Sequence, residues 1–156
     1  MLIDTHCHLD FPPFEPDRDA VIQRAIEAGI TNFINIGSTL ESSIASCELA
    51  QKYAQIYASV GVHPHDADSF DINSENKLRE LAQKNKVVAI GETGIDYYRN
   101  LSSPDNQKQA FIKQIALAKE LKLPLVIHSR QAEVEVMRIL KAALPLPFSA
   151  RGEQSR

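Results

Sequence analysis

Val87-Val88-Ala89-Ile90-Gly91-Glu92-Thr93-Gly94-Ile95-Asp96 is the stretch on which the fold turns. Four consecutive apolar residues, three of them β-branched, read as a short strand over 87–90 buried on both faces, as strands are when helices cover a parallel sheet. It empties into Glu92 between two glycines. Upstream, a helix opening after Asn73 or Ser74 carries Leu78, Leu81 and Ala82, and a strand over 56–62 runs into His63-Pro64-His65. Before these, Ser38 or Thr39 opens a helix with Leu40, Ile44, Cys47, Ala50 and Tyr53 on its buried stripe, preceded by a strand over 31–36. Asp17 can cap an earlier helix bearing Val21, Ile22, Ala25 and Ile26, which Gly29 ends. The chain begins with the strand Leu2-Ile3-Asp4-Thr5-His6-Cys7-His8. Downstream, a helix over 104–121 turns Phe111, Ile115 and Ala118 inward. A strand over 124–127 then ends in His128-Ser129-Arg130, and a last helix over 131–142 aligns Val134, Met137 and Leu140.

This is β-α five times, with strand starts near residues 2, 31, 56, 87 and 124, a spacing that suits right-handed parallel crossovers. A parallel sheet with outer helices is either a doubly wound open sheet or a barrel of the TIM type, and in both the function sits at the carboxyl ends of the strands. There His6, His8, His63, His65, Glu92 and His128 fall. The first turn lacks the Gly-x-Gly-x-x-Gly of a dinucleotide fold, which favours the parallel (β/α) barrel. Eight such units typically need about 250 residues. The 156 residues supply five, so an incomplete barrel over 1–143 is expected, followed by a disordered or loosely attached tail over 144–156 in which Pro145 and Pro147 stop the helix.

The totals exclude several classes. Apolar and charged fractions of 44% and 24% are those of a water-soluble globular domain. No apolar run of about 18 residues could cross a bilayer, and Asp4 and the histidines interrupt any secretory leader. An intracellular protein is expected, cytoplasmic or, in a eukaryotic cell, nuclear. Cys7 and Cys47 fit neither a disulfide framework nor a zinc-knuckle spacing. A net charge of −3 argues against a broad basic face for nucleic acid, so any phosphate contact must be local.

Side chains at i, i+2 and i+4 of a strand share a face, so Asp4, His6 and His8 project together, and the imidazole pair is a ready chelate for one divalent ion. Asp4-Thr5-His6-Cys7-His8-Leu9-Asp10, Gly61-Val62-His63-Pro64-His65, Gly91-Glu92-Thr93-Gly94-Ile95-Asp96-Tyr97-Tyr98 and Pro124-Leu125-Val126-Ile127-His128-Ser129-Arg130, in order and at compatible spacing, resemble the motifs of the TatD family of metal-dependent deoxyribonucleases, within the amidohydrolase-like barrels. The resemblance implies an enzyme that hydrolyses DNA phosphodiesters by metal-activated water, acting as a 3′–5′ exonuclease on single strands or duplex ends. It implies that His6 and His8 bind one ion, that Glu92 bridges two and serves catalysis, and that His128 binds the second. The metals would be Mg²⁺, Mn²⁺ or Zn²⁺.

Each residue has a rival reading. Glu92 can be a surface loop carboxylate and His128 a core histidine. His63 and His65 can contact phosphate or substrate, or be structural. Arg130 can clasp a phosphate in bidentate fashion or charge the start of the last helix. Gly91 and Gly94 would let the backbone turn closely around the ions. Asp4 and Asp10 can hold imidazole tautomers, and Asp96 and Tyr97 can belong to the loop or touch substrate. The family pattern continues with a further histidine and a late aspartate that this sequence lacks, so the second metal site is expected to be incomplete. The chain reads as a shortened form with a small fraction of full activity and with barrel edges open to self-association. Two other functions stay in view: a related barrel hydrolase of small amides or esters, and an inactive half-barrel that binds a partner.

Overall fold

In the computed structural model, which describes residues 2–143, strand and helix alternate as β1 (Leu2–Cys7), α1 (Arg18–Glu27), β2 (Ile30–Ile36), α2 (Leu40–Lys52), β3 (Ile56–Val60), α3 (Ile72–Ala82), β4 (Val87–Asp96), α4 (Pro104–Leu121), β5 (Leu125–Arg130) and α5 (Glu133–Ala143). The helix boundaries follow from local chemistry. Thr39 accepts the Ser42 amide at 3.1 Å, Asp71 the Ser74 amide at 2.8 Å, and Ser103 the Asn106 amide at 3.2 Å ahead of Pro104. Each satisfies a donor that the first helical turn leaves free. Gly29, at φ +102°, closes the turn from α1 into β2, where a side chain would be strained.

The five strands are parallel and lie in the order β1-β2-β3-β4-β5. A doubly wound sheet would reverse its strand order at a switch point. This one never does, so every crossover steps the same way and the sheet is a half-barrel of the TIM type, as the sequence led us to expect. Helices cover its outer face. Ile22, Cys47, Leu49, Leu78 and Leu117 from α1 to α4 pack with Phe33, Ile56, Val60 and Ile90 of the strands in one buried cluster. A smaller cluster unites Ile95, Phe111, Ile115, Val136 and Ile139 under α4 and α5. Burying Phe111 completely removes enough apolar surface to contribute on the order of 2–3 kcal/mol.

Five elements differ from the expectation in a boundary or a face. Strand β4 does not end at Ile90 but continues to Asp96, because its second half pairs with β5 from Thr93 to Asp96. Strand β3 stops at Val60, two residues early. Helix α3 starts at Ile72, capped by Asp71, since Asx geometry there competes better than Asn73 or Ser74. On α5 the buried residues are Val136 and Ile139, whereas Val134 is 86% and Met137 51% exposed. That helix carries apolar residues on two adjoining stripes, and its periodicity alone could not say which one meets the sheet. On α2, small buried Ser43 and Ser46 face the strands, while Leu40 and Ile44 lie at the margin.

The edge strands are uncovered: Leu2 is 62% and Ile3 49% exposed on β1, and Ile127 is exposed on β5. Among the described residues no helix is long and apolar enough to cross a membrane. The tail expected at 144–156 lies outside the described residues.

Candidate metal centre

Glu92 stands on the rim, in the second half of β4. Its two carboxylate oxygens face opposite ways. Oε2 lies 3.5 Å from His6 Nε2 of β1, and Oε1 lies 3.3 Å from His128 Nδ1 of β5. Donor atoms of His6, His8 and Glu92 fall within 4.8 Å of one another, as do those of His63, Glu92 and His128. Glu92 is common to both sets. Two ligands bonded at about 2.1 Å to one ion stand about 3.0–3.4 Å apart in octahedral or tetrahedral geometry; the Glu92–His128 separation falls in that range and the Glu92–His6 separation just above it. Imidazole and carboxylate together suit first-row divalent ions.

The tautomers follow from the partners. The Nδ1–H of His8 donates to the Ile36 carbonyl at 3.1 Å, which leaves Nε2 free as a ligand. Phe11 stacks on the same ring, with centroids 4.6 Å apart. For His63 the opposite holds: Nδ1 accepts the His65 amide at 3.2 Å, so the proton of the neutral ring sits on Nε2. Distance places His63 with Glu92 and His128, while its tautomer presents a donor there. Burial, and then the nearby His128 and His65, push the His63 imidazole down to about 3, so it stays neutral over the ordinary pH range.

Asp96, wholly buried, was not foreseen in its actual place. Its Oδ1 accepts the amides of Tyr98 at 3.0 Å and Arg99 at 2.7 Å, and its Oδ2 meets His65 Nε2 at 2.9 Å and His128 Nε2 at 3.1 Å. Burial alone would raise its pKa, but the Arg99 amide and the two imidazoles outweigh it and hold the carboxyl well below the usual carboxylate range. A substrate contact by Asp96 is therefore ruled out by its burial. Glu92, Gly94 and Asp96 alternate on one face of the strand, a pattern that exists only because β4 runs on to Asp96.

Asp4 and Asp10 do not hold imidazoles. Asp4 accepts the backbone amide of His6 at 3.1 Å, and Asp10 accepts from Asn35 at 2.8 Å and Ser42 at 2.6 Å. Buried Asn35 also accepts the Leu9 amide at 2.6 Å, so this network pins the turn that follows His8. Gly91 and Gly94 serve a purpose other than wrapping ions. At φ +148° a Cβ on Gly94 would collide with the His128 carbonyl, and one on Gly91 with the Val126 carbonyl. Both glycines let the β5 backbone approach close enough to bring His128 to Glu92.

Two glutamines went unnoticed in the sequence. Gln114 accepts the Val62 amide at 2.8 Å and donates to the Val62 carbonyl at 3.0 Å and to Thr93 Oγ1 at 2.8 Å. Gln107 accepts the Asp96 amide at 2.8 Å and donates to its carbonyl at 3.3 Å. Each side-chain amide thus imitates a neighbouring strand, at the residues that precede His63 and end β4. Their spacing on the inward stripe with Phe111 was the available clue.

Arg130 lies outside this cluster, its guanidinium 3.8 Å above the exposed Tyr98 ring. Among the described residues it forms no ion pair. Cys7 is no nucleophile: burial and nearby Asp4 push its thiol up to about 12. An open cleft of about 320 Å³ is lined by His8, Phe11, His63, His65 and Glu92, so the donors face solvent where a substrate could enter.

A sequence profile of the family described as TatD related DNase matches residues 3–149. The chain is 40% identical over 139 residues to the 3′-5′ ssDNA/RNA exonuclease TatD of Cronobacter sakazakii, covering 89% of this chain and 53% of that protein. It is 41% identical over 143 residues to the uncharacterized metal-dependent hydrolase YabD of Bacillus subtilis, covering 90% and 55%. The crystal structure of the TatD homolog YJJV from Escherichia coli superposes with a TM-score of 0.86 at 34% identity, over 96% of this chain and 61% of that one. The chain thus spans about half the length of the curated relatives it matches. With the half-barrel and its histidine-rich rim already in place, these matches settle the family: the chain belongs to the TatD-related DNases.

Proposed function

We propose that this chain carries the metal-binding rim of a nuclease that hydrolyses phosphodiesters from the 3′ end of single-stranded nucleic acid. The observation that carries the reading is the position of Glu92, with one oxygen toward His6 and the other toward His128. His6, His8 and Glu92 would hold one divalent ion, and Glu92 with His128 would contribute to a second. When bound, such ions would polarise a phosphate oxygen and lower the pKa of a bound water. The donor chemistry suits Zn²⁺ or Mn²⁺, with Mg²⁺ a third candidate for phosphate esters.

The other residues take roles that their surroundings support. His63, neutral with Nε2–H outward, donates to a phosphate oxygen without competing for the ion. His65, oriented by Asp96, flanks the same opening. Arg130 and Tyr98 form an exposed stacked pair that could receive a base and its phosphate, which favours nucleic acid over a small amide or ester. A cytoplasmic setting belongs to the same proposal, since Cys7 and Cys47 are free thiols, as suits a reducing compartment.

The experiment is cleavage of a 5′-labelled oligonucleotide, DNA and RNA in parallel, with Mn²⁺, Mg²⁺ or Zn²⁺. The expected result is slow, stepwise shortening from the 3′ end, abolished by EDTA and by Glu92→Gln. Its rate should be a small fraction of that of a full-length relative. Turnover of small esters with no shortening of either nucleic acid would overturn the substrate assignment.

A further inference from the structure

We infer that Asp96 is a positioning residue that sets which nitrogen of His128 faces the metal. This rests on His128 being a ligand, as proposed above. Neutral imidazole has one nitrogen that donates and one that accepts. His128 lies between two carboxylates, with Nε2 3.1 Å from Asp96 Oδ2 and Nδ1 3.3 Å from Glu92 Oε1. Asp96 has nothing to offer except acceptance. Its Oδ1 is committed to the Tyr98 and Arg99 amides and its Oδ2 faces His65 and His128, and the carboxylate itself is fully buried. With a cation between His128 and Glu92, only Asp96 is left to accept from the ring, so the His128 proton is held on Nε2 and the Nδ1 lone pair is turned to the ion shared with Glu92. His65 is locked by the same oxygen as an Nε2–H tautomer at 2.9 Å.

The arrangement also explains why no neutral amide could replace this carboxylate. The Tyr98 and Arg99 amides demand an acceptor at one oxygen, and two imidazole N–H groups demand one at the other. Asparagine supplies a single acceptor, so either orientation sets its NH₂ against donors. The easiest relief is for His128 to move its proton to Nδ1 and accept at Nε2, which removes the lone pair from the metal side. Gln107, which clasps the Asp96 backbone on both its amide and carbonyl, holds the carboxylate in place for this task.

The test is ¹⁵N–¹H long-range correlation of the histidine rings, at pH 8.5, in the native chain with and without Zn²⁺, alongside calorimetric titration of Zn²⁺ into native and Asp96→Asn proteins. The expected spectrum of the zinc-loaded native chain has His128 protonated at Nε2 with Nδ1 shifted by the metal. Asp96→Asn should bind Zn²⁺ about 10–100-fold more weakly and show His128 protonated at Nδ1, a change that a merely structural role would not produce. A native His128 protonated at Nδ1 and coordinated through Nε2 would overturn the inference. So would an Asp96→Asn chain with unaltered zinc affinity. Should the variant fail to fold, the native spectrum decides alone. Should native protein bind no zinc, the metal reading fails, and the metal-free spectrum still decides the tautomer.

Discussion

At the level of single residues, the site works by giving each polar group one partner that fixes its role. The Ile36 carbonyl turns His8 Nε2 outward, and the His65 amide turns His63 Nε2–H outward. For His63 this has a consequence in acid. Its folded-state value near 3 lies below the ordinary histidine value of about 6.5, so between those limits the unfolded chain takes up a proton that the folded chain refuses. Stability from this source is complete above pH 6.5 and is lost as pH falls toward 3. In EDTA, His63→Gln should therefore lose less Tm between pH 7 and pH 4.5 than the native chain, measured by differential scanning calorimetry. An equal or larger loss in the variant would show that His63 is protonated in the folded state. The histidines themselves were legible in the sequence because all five fall at or just after the carboxyl ends of strands. The role of Asp96 was not, since its worth comes from two rings, one on β5 and one on the short turn after β3.

At the level of elements, β4 and α4 do most of the placing. Strand β4 supplies Glu92 and Asp96 four residues apart on one face, and Gly94 between them admits β5. Its length was underestimated because the glycines at 91 and 94 look like a strand end until a partner backbone needs that space. Helix α4 was found to the residue from its proline start and apolar stripe, yet its two buried glutamines escaped notice, because an apolar periodicity says nothing of polar groups within it. Gln114→Leu would leave the Val62 amide and carbonyl and the Thr93 hydroxyl without their partner. Losing these buried bonds should cost about 3 kcal/mol, readable as a lower urea midpoint with an unchanged slope. A loss under about 0.5 kcal/mol would mean that water replaces the glutamine and that the loop before His63 is held by other means. The face of α5 was misjudged for a different reason: two apolar stripes compete on it, and only contact with Phe111 and Ile115 selects Val136 and Ile139.

At the level of the molecule, strand order carries the functional geometry. Since β1 to β5 follow one another without reversal, His6 and His128, 122 positions apart in sequence, reach one carboxylate across the curved sheet. The same curvature leaves both edge strands uncovered, with Leu2, Ile3 and Ile127 exposed. The isolated chain should therefore self-associate, giving sedimentation coefficients that rise with concentration, and Ile3→Lys should weaken the effect. A monomer unchanged up to high concentration would show that these edges are not adhesive. Fold class was readable because a parallel β-α alternation with chemistry at every strand end but one has very few solutions. The convergence of β1, β4 and β5 on a single point is a property of the curved sheet, which no local pattern contains.

That convergence is most directly tested by metal content. Elemental analysis of the native chain after incubation with Zn²⁺ or Mn²⁺ and desalting should find at least one ion per chain, and Glu92→Ala should lose it while keeping its circular dichroism. Equal metal content in the two proteins would contradict the assignment of Glu92 as the carboxylate shared by His6 and His128.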